Sequence, residues 1–273
     1  MSSGKSVLRV AVGGFGAIGF ALAKALDDGI DGLALAAVSA RDKKKAADKM
    51  EGFRAPVPVV DLEALAELAD IVVECAPSSV FRAIAEPALK AGRLFVPLSV
   101  GQLLLHDDLK DIAIAHGGRI VVPTGALIGL DAVRAAAEGR IESVTMVTRK
   151  PPRGLMGAPY LEQNGIFLEG LNEAKLIFDG SARDGAKGFP ANVNVAAALS
   201  LAGIGPDRTR LQIWADPAVT RNTHRIEVEA DSARFAMSIE NVPSEENPKT
   251  GRITALSAIA CLRGLVAPMR VGT

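Results

Sequence analysis

Three glycines near the start of the chain have the spacing Gly14-x-Gly16-x-x-Gly19, with an apolar run before them and helix-forming residues after them. Gly14 permits a tight turn, Gly16 lets backbone N–H groups approach a pyrophosphate, and Gly19 lets the helix pack closely on the strand. Ala17 and Ile18 begin the helix, where unpaired N–H groups attract an anion. A strand, a glycine-rich turn and a helix in this order predict a dinucleotide site. A glycine-rich turn of some other α/β protein is the alternative.

The end of the second predicted strand bears on the choice between NAD and NADP. NAD-selective proteins usually carry an acid about twenty residues beyond the fingerprint, for the ribose 2′-hydroxyl. Here Ser39 stands at that place, with Arg41 close behind it and Asp42 as an uncertain substitute for the acid. Arg41 either accommodates a 2′-phosphate or simply solvates the start of a helix. Both cofactors therefore stay open.

Small residues follow three further predicted strands. Ala76 lies in the segment 74–79, Ser99 opens the segment 99–101, and Ala126 closes the segment 123–126. Ligands of open α/β sheets bind outside the carboxyl ends of the strands. These segments are therefore expected to approach the cofactor, although the same residues are common in ordinary turns.

His224 is the strongest candidate for acid–base chemistry. It lies in the predicted strand 222–229, where it shares a face with Ile226 and Val228 while Arg225 and Glu227 share the other. Because one face is expected to be solvated, His224 points inward. A histidine on an apolar face is often a core residue, so a structural role stays open from the pattern alone.

Other polar residues are candidates for binding. Asn192 and Asn194 lie at a predicted helix start, where they either cap the helix or offer a carboxamide to a nicotinamide amide. A dicarboxylate needs positive charge, for which the candidates are Lys150, Arg153, Arg221 and Lys249. A solvated helix start is the alternative for Lys249.

The elements that must position these residues form two regions. Up to Pro123, apolar runs alternate with helical segments, which predicts a Rossmann-type doubly wound parallel sheet. Beyond it, alternating strands and Ala-rich helices predict a second α+β domain with a mixed or antiparallel sheet. We expect a dinucleotide-binding domain over 1–124, a substrate and catalytic domain over 125–247, and a last helix within 248–273 that packs back on the first.

Composition excludes several classes of function. The 273 residues carry 31 Lys and Arg against 31 Asp and Glu, so nothing suggests binding to nucleic acid or to an anionic membrane. The two cysteines are far apart, which argues against a disulfide framework or a metal site. Neither a secretory signal nor a long apolar run is evident, so a cytoplasmic protein is expected.

Several segments together resemble the L-aspartate dehydrogenase family, in the family's order. The most specific are Phe-Pro-x-Asn-x-Asn at 189–194 and Asp-Pro followed by Asn-x-His at 216–224. They accompany the fingerprint at 14–19 and the segments 73–76, 99–101, 125–131, 149–152 and 247–250. Residues 154–170 depart from the family pattern.

The resemblance implies a two-domain NAD(P)-dependent enzyme, commonly a homodimer, that oxidises L-aspartate reversibly to iminosuccinate. The imine then gives oxaloacetate and ammonia, or enters NAD biosynthesis. The family's catalytic histidine maps onto His224, and its nicotinamide contacts map onto Ala126 and the pair Asn192 and Asn194, with Asn194 preferred. A dehydrogenase or reductase of another small amino or imino acid and a non-catalytic nucleotide sensor are the alternatives.

Overall fold

The computed structural model describes residues 6–190, 193–244 and 251–272, which divide into two compact units. The first unit comprises residues up to Ser99, His106–Pro123 and Ala255–Arg270. The second comprises Val100–Leu105, Thr124–Thr254 and the C-terminal residues from Val271. Most of the last helix thus belongs to the first unit.

The first unit contains a parallel sheet of six strands in the order β3-β2-β1-β4-β5-β6. This order, which reverses at β1, is that of a Rossmann fold and confirms the fold class expected from the sequence. The strands are β1 (Leu8–Gly13), β2 (Leu33–Ser39), β3 (Val59–Val60), β4 (Ile71–Glu74), β5 (Leu94–Pro97) and β6 (Arg119–Ile120).

Helices complete the first unit because a parallel sheet needs crossover connections. They are α1 (Ala17–Asp28), α2 (Lys43–Lys49), α3 (Leu65–Leu68), α4 (Phe81–Lys90), α5 (Asp108–His116) and, at the end of the chain, α10 (Arg252–Val266). Leu22 and Leu26 of α1 share a core with Val10 of β1 and with Ala258 and Leu262 of α10. The last helix therefore covers α1 through small and apolar side chains.

The second unit contains a mixed sheet of five strands in the order β11-β10-β7-β9-β8, in which only β7 and β9 run parallel. A mixed sheet was one of the two predicted forms. The strands are β7 (Ile141–Lys150), β8 (Lys175–Ser181), β9 (Arg210–Ala215), β10 (Thr223–Ala230) and β11 (Arg234–Glu240). The helices are α6 (Leu130–Ala137), α7 (Pro159–Gln163), α8 (Ala182–Gly188) and α9 (Asn194–Ala202).

Two helices of this unit were not predicted from the sequence. The helix α8 contains Gly185 and Gly188, which lower helix propensity and hide the pattern. The fold nevertheless needs a small residue there, since a Cβ at Gly185 would lie 2.6 Å from a methyl of Leu211 on β9. The helix α7 is only five residues long and lies within the atypical segment 154–170.

One face of the mixed sheet is apolar and the other polar. Along β10, His224, Ile226 and Val228 are buried, whereas Arg225 and Glu227 are exposed. The strict alternation follows from the two-residue period of a strand. It turns His224 inward, as the pattern predicts. Within the part of the chain that the structure describes, no helix is long and apolar enough to cross a membrane.

Candidate active site

The fingerprint turn has the geometry that a dinucleotide needs. Gly14 has a φ of +104°, and a Cβ there would lie 2.6 Å from the carbonyl oxygen of Cys75. A Cβ at Gly19 would lie 1.9 Å from the carbonyl oxygen of Gly14, so only glycine lets α1 approach this turn. At Gly16, by contrast, no heavy atom of the described residues lies within 4 Å of a Cβ position beyond the adjoining residues. The turn is thus tightly packed at Gly14 and Gly19 and open at Gly16.

The start of α1 suits an anion. Gly16 is its N-cap, no side chain caps the helix among the described residues, and its first turn holds no acidic residue. The N–H groups of Ala17 and Ile18 begin this helix, whose dipole adds positive potential at the same end. The residues present therefore fit the pyrophosphate of NAD or NADP, which would lie against Gly16, Ala17 and Ile18.

The polar residues at the end of β2 have different surroundings. The buried Ser39 accepts the Gly14 N–H on its carbonyl oxygen at 2.9 Å, which joins β2 to the fingerprint turn. The carboxylate of Asp42 caps α2 by accepting the Lys45 N–H at 3.0 Å, so it serves the helix. Arg41 is exposed between them. Arg41 is thus the cation nearest in sequence to the predicted ribose site, whereas the neighbouring Asp42 is engaged in capping α2.

The end of β4 holds a residue that the sequence analysis did not single out. Glu74 is fully buried, and its carboxylate accepts the N–H of Ala76 at 2.9 Å. Ala76 is therefore fixed by a side chain two residues before it. A charged residue closing an otherwise apolar strand was the available signal, because a carboxylate in a buried strand requires hydrogen-bond donors.

In the second unit, Thr148 and Lys150 of β7 and His224 of β10 are buried side chains of one sheet face. Thr148 pairs directly with His224 across the two strands, and its Oγ1 lies 3.1 Å from the imidazole Nδ1. Lys150 lies two residues further along β7 and so extends the same row. We call these three residues the His224 row.

The electrostatics of the His224 row are unusual. Burial lowers the pKa of the Lys150 ammonium to about 8. Burial, aided by the nearby Lys150 charge, lowers the pKa of His224 to about 3. His224 is therefore neutral at physiological pH and carries a lone pair that can accept a proton. A buried cation beside a neutral imidazole is an arrangement expected at a functional site.

Asp216 holds the turn that leads into β10. It is buried, accepts the Ala218 N–H at 2.9 Å, and pairs with the Arg149 guanidinium at 3.0 Å. That guanidinium also stacks over the Trp214 ring at 4.9 Å. The Asp216 backbone N–H donates to the Lys150 carbonyl oxygen at 2.8 Å. The segment that resembles the family between 216 and 224 is thus anchored to the end of β7.

The remaining predicted residues have varied surroundings. The Oδ1 of Asn194 accepts the Gly101 N–H at 3.0 Å, and the Nδ2 of the buried Asn241 donates to the Ala126 carbonyl oxygen at 3.2 Å. Arg153 and Arg221 are exposed. Asn192 and Lys249 lie outside the described residues.

Two family models match the chain. The model described as aspartate dehydrogenase, C-terminal, matches residues 131–265, and the NAD-binding domain of homoserine dehydrogenase matches residues 14–123. The two matches meet close to the change of pattern at Pro123.

Two relatives match over almost the whole chain. The chain is 63% identical to the L-aspartate dehydrogenase of Bradyrhizobium diazoefficiens, covering 98% of this chain and 95% of that protein. It is 57% identical to L-aspartate dehydrogenase 3 of Bordetella bronchiseptica, covering 99% of this chain and 100% of that protein.

A solved structure has the same fold. The crystal structure of aspartate dehydrogenase from Thermotoga maritima superimposes with a TM-score of 0.72 at 23% identity. The match covers 97% of this chain and 99% of that chain. It therefore supports the two-sheet architecture along the whole length.

The depressed pKa of His224 predicts a loss of stability in acid. Below pH 6.5 the unfolded chain binds a proton that the folded His224 accepts only near pH 3, so the free energy of unfolding falls with falling pH across that window. His224→Gln removes this contribution, which amounts to about 2 kcal/mol between pH 7.5 and pH 5. Thermal unfolding at both pH values measures it.

The matched control is His116→Gln, at an exposed histidine. It is expected to keep the wild-type difference in melting temperature between the two pH values. An equal acid sensitivity in wild type and His224→Gln would contradict the depressed pKa.

Proposed function

Since this chain belongs to the L-aspartate dehydrogenase family, we propose that His224 is the group that takes the proton in its reaction. The enzyme oxidises L-aspartate to iminosuccinate with NAD(P), and water converts the imine to oxaloacetate and ammonia. The observation that carries the proposal is the His224 row, in which a neutral imidazole and an ammonium are buried on one sheet face. The alternatives of another substrate or a nucleotide sensor are not favoured.

The two units supply different residues for the reaction. The first unit supplies the cofactor site at Gly14, Gly16, Ala17, Ile18 and Gly19, with Ser39 and Arg41 at the ribose and Ala76 at the end of β4. The second unit, 125–247 in the sequence prediction, supplies the residues for the amino acid. The assignment of Ala126, Asn192 and Asn194 to the nicotinamide stays a prediction from the resemblance. A cofactor bound at the fingerprint turn would supply a nicotinamide ring as the acceptor of the hydride from the substrate α-carbon.

His224 handles the proton that the reaction releases. The substrate amine must lose a proton before or during hydride removal, and a neutral imidazole accepts it. If Nδ1–H donates to Thr148 Oγ1, the lone pair is left on Nε2, where it can accept the substrate's proton. In the reverse direction the protonated ring returns the proton to the imine nitrogen.

Lys150 suits a substrate carboxylate. Its buried ammonium would pair with one carboxylate of aspartate in surroundings that strengthen the attraction. The same pairing offsets the positive charge that depresses the pKa of His224, so substrate binding makes the imidazole a stronger base. Arg153, Arg221 and Lys249 are weaker candidates for the second carboxylate.

Three properties stay predictions. The homodimer and the feeding of iminosuccinate into NAD biosynthesis come from the resemblance alone. The cytoplasmic location comes from the sequence alone.

His224→Gln is expected to lower kcat for L-aspartate by about 10²-fold or more, because Gln keeps a polar contact to Thr148 but accepts no proton. Absorbance of the reduced cofactor measures turnover, and His116→Gln is the control. Unchanged kcat in a folded His224→Gln protein would return the histidine to a structural role.

Lys150→Met is expected to raise KM for L-aspartate by about 10- to 100-fold, since a charge-assisted bond to the substrate is lost. The same change should stabilise the free enzyme. The folded pKa of Lys150 is lowered to about 8 from 10.5, so the cost of burying the ammonium is complete below pH 8 and disappears as the pH rises through 10.5. That cost is about 3 kcal/mol.

Lys175→Met, at an exposed lysine of β8, is the matched control and should change neither KM nor melting temperature. A lower melting temperature of Lys150→Met with unchanged KM would show a structural lysine instead.

Arg41→Ala is expected to lower kcat/KM with NADP by about 10-fold while leaving kcat/KM with NAD within about twofold, since only NADP carries the 2′-phosphate. Lys44→Ala, at an exposed position of α2, is the control. An equal loss with both cofactors would contradict a 2′-phosphate contact.

A further inference from the structure

Glu74 is the last residue of β4, and it is completely buried in the first unit. The mechanism proposed above gives it no part. Burial raises the pKa of this carboxyl group, and the hydrogen bonds around it oppose that rise. Burying a carboxylate costs free energy, so the hydrogen-bond donors around Glu74 indicate what this residue does.

Four donors converge on the carboxylate from two strand ends. Oε1 accepts the Ala76 N–H at 2.9 Å and the Ser99 hydroxyl at 3.0 Å. Oε2 accepts the Ser99 N–H at 2.9 Å and, at 3.2 Å, the Leu98 N–H, which also donates to the Glu74 carbonyl oxygen at 3.0 Å. The donors come from the residues that follow β4 and β5, where the ladder of the parallel sheet ends. Glu74 thus ties these two strand ends together.

This donor set demands an ionised carboxylate. Each oxygen accepts two bonds, and three of the four donors are main-chain N–H groups that cannot turn into acceptors. A carboxamide would place its NH₂ group against N–H donors and leave buried groups unpaired. Glutamine therefore has nearly the same shape as glutamate, but its NH₂ group cannot accept the hydrogen bonds that the carboxylate accepts here.

The segment held by Glu74 forms the back wall of the fingerprint turn. The Cys75 N–H donates to the Gly13 carbonyl oxygen at 2.7 Å. The Cβ position of Gly14 lies 2.6 Å from the Cys75 carbonyl oxygen and 2.7 Å from the Ala76 nitrogen. A shift of residues 75 and 76 by even a few tenths of an ångström therefore moves or releases the turn.

We propose that Glu74 is a positioning residue for the cofactor, which acts by locking the ends of β4 and β5 against the fingerprint turn at Gly14. The inference rests on the proposed binding of NAD(P) at that turn. Glu74 itself contacts residues at the ends of the two strands. These residues pack against the fingerprint turn and so set the position of the turn at which the dinucleotide would bind.

The test is the affinity of Glu74→Gln for NADH, followed by the fluorescence of the reduced nicotinamide without substrate. Kd is expected to rise about 10-fold or more, with the loss of a charge-assisted network. At saturating cofactor kcat and the KM for L-aspartate should stay within about twofold of wild type. Glu67→Gln, the same change at an exposed residue of α3, is the matched control and should bind NADH normally.

A second variant serves if Glu74→Gln does not fold. Ser99→Ala removes one donor and leaves the carboxylate and its main-chain partners in place. It is expected to fold and to raise Kd for NADH by about 3-fold. If the folded variants lose melting temperature but bind NADH with the wild-type Kd, the role of Glu74 is structural and the proposal is wrong.

The failure of the proposed cofactor site would look different. Gly16→Val fills the open space over the turn, and its backbone tolerates Val because φ is −77°. Loss of NADH binding in Gly16→Val supports the site at the fingerprint. Wild-type affinity in Gly16→Val would overturn that site, whatever Glu74→Gln does.

Discussion

Backbone groups at the ends of parallel strands lack the partners that the sheet supplies elsewhere, and each such group must find another. In the first unit this requirement is met in two ways. The carbonyl of Ser39 takes the Gly14 N–H, and the carboxylate of Glu74 takes the N–H groups that follow β4 and β5. The N–H groups that begin α1 receive no side-chain cap among the described residues. These contacts hold the fingerprint turn and the ends of β4 and β5, while the start of α1 is the place proposed for the anion.

In the second unit, three polar side chains lie on a sheet face that is otherwise apolar. Thr148 is the only one of the His224 row that bears no ionisable group, and its hydroxyl can donate or accept. It therefore supports either tautomer of His224 without adding charge. Asp216 lies at the adjoining strand end but is paired with Arg149, so its charge is compensated within its own pair. Under the proposed function, the charge states of Lys150 and His224 would respond to a bound dicarboxylate.

The sequence predicts these features unequally. The alternation of apolar runs with helical segments predicts the parallel sheet of the first unit, because parallel strands need crossover helices. Alternation along β10 predicts that His224 points inward. The helix α8 is missed because Gly185 is required by packing against Leu211 of β9, a tertiary demand that overrides local propensity. Glu74 and Thr148 are missed for the same kind of reason, since their partners lie 25 and 76 residues away along the chain.

Two residues with proposed roles, Lys150 and Glu74, cost stability in the folded protein. An apolar side chain in place of Lys150 would suit the surrounding sheet face better, and a neutral one in place of Glu74 would avoid the desolvation of a charge. The two costs are met differently. Glu74 recovers part of its cost through four hydrogen bonds within the free protein, so its role is fulfilled before any ligand arrives. Burial lowers the pKa of the Lys150 ammonium, so an anion placed beside it would offset part of that cost. In the proposed function the first arrangement holds the fingerprint turn in place before the cofactor binds, and the second attracts a carboxylate of the substrate.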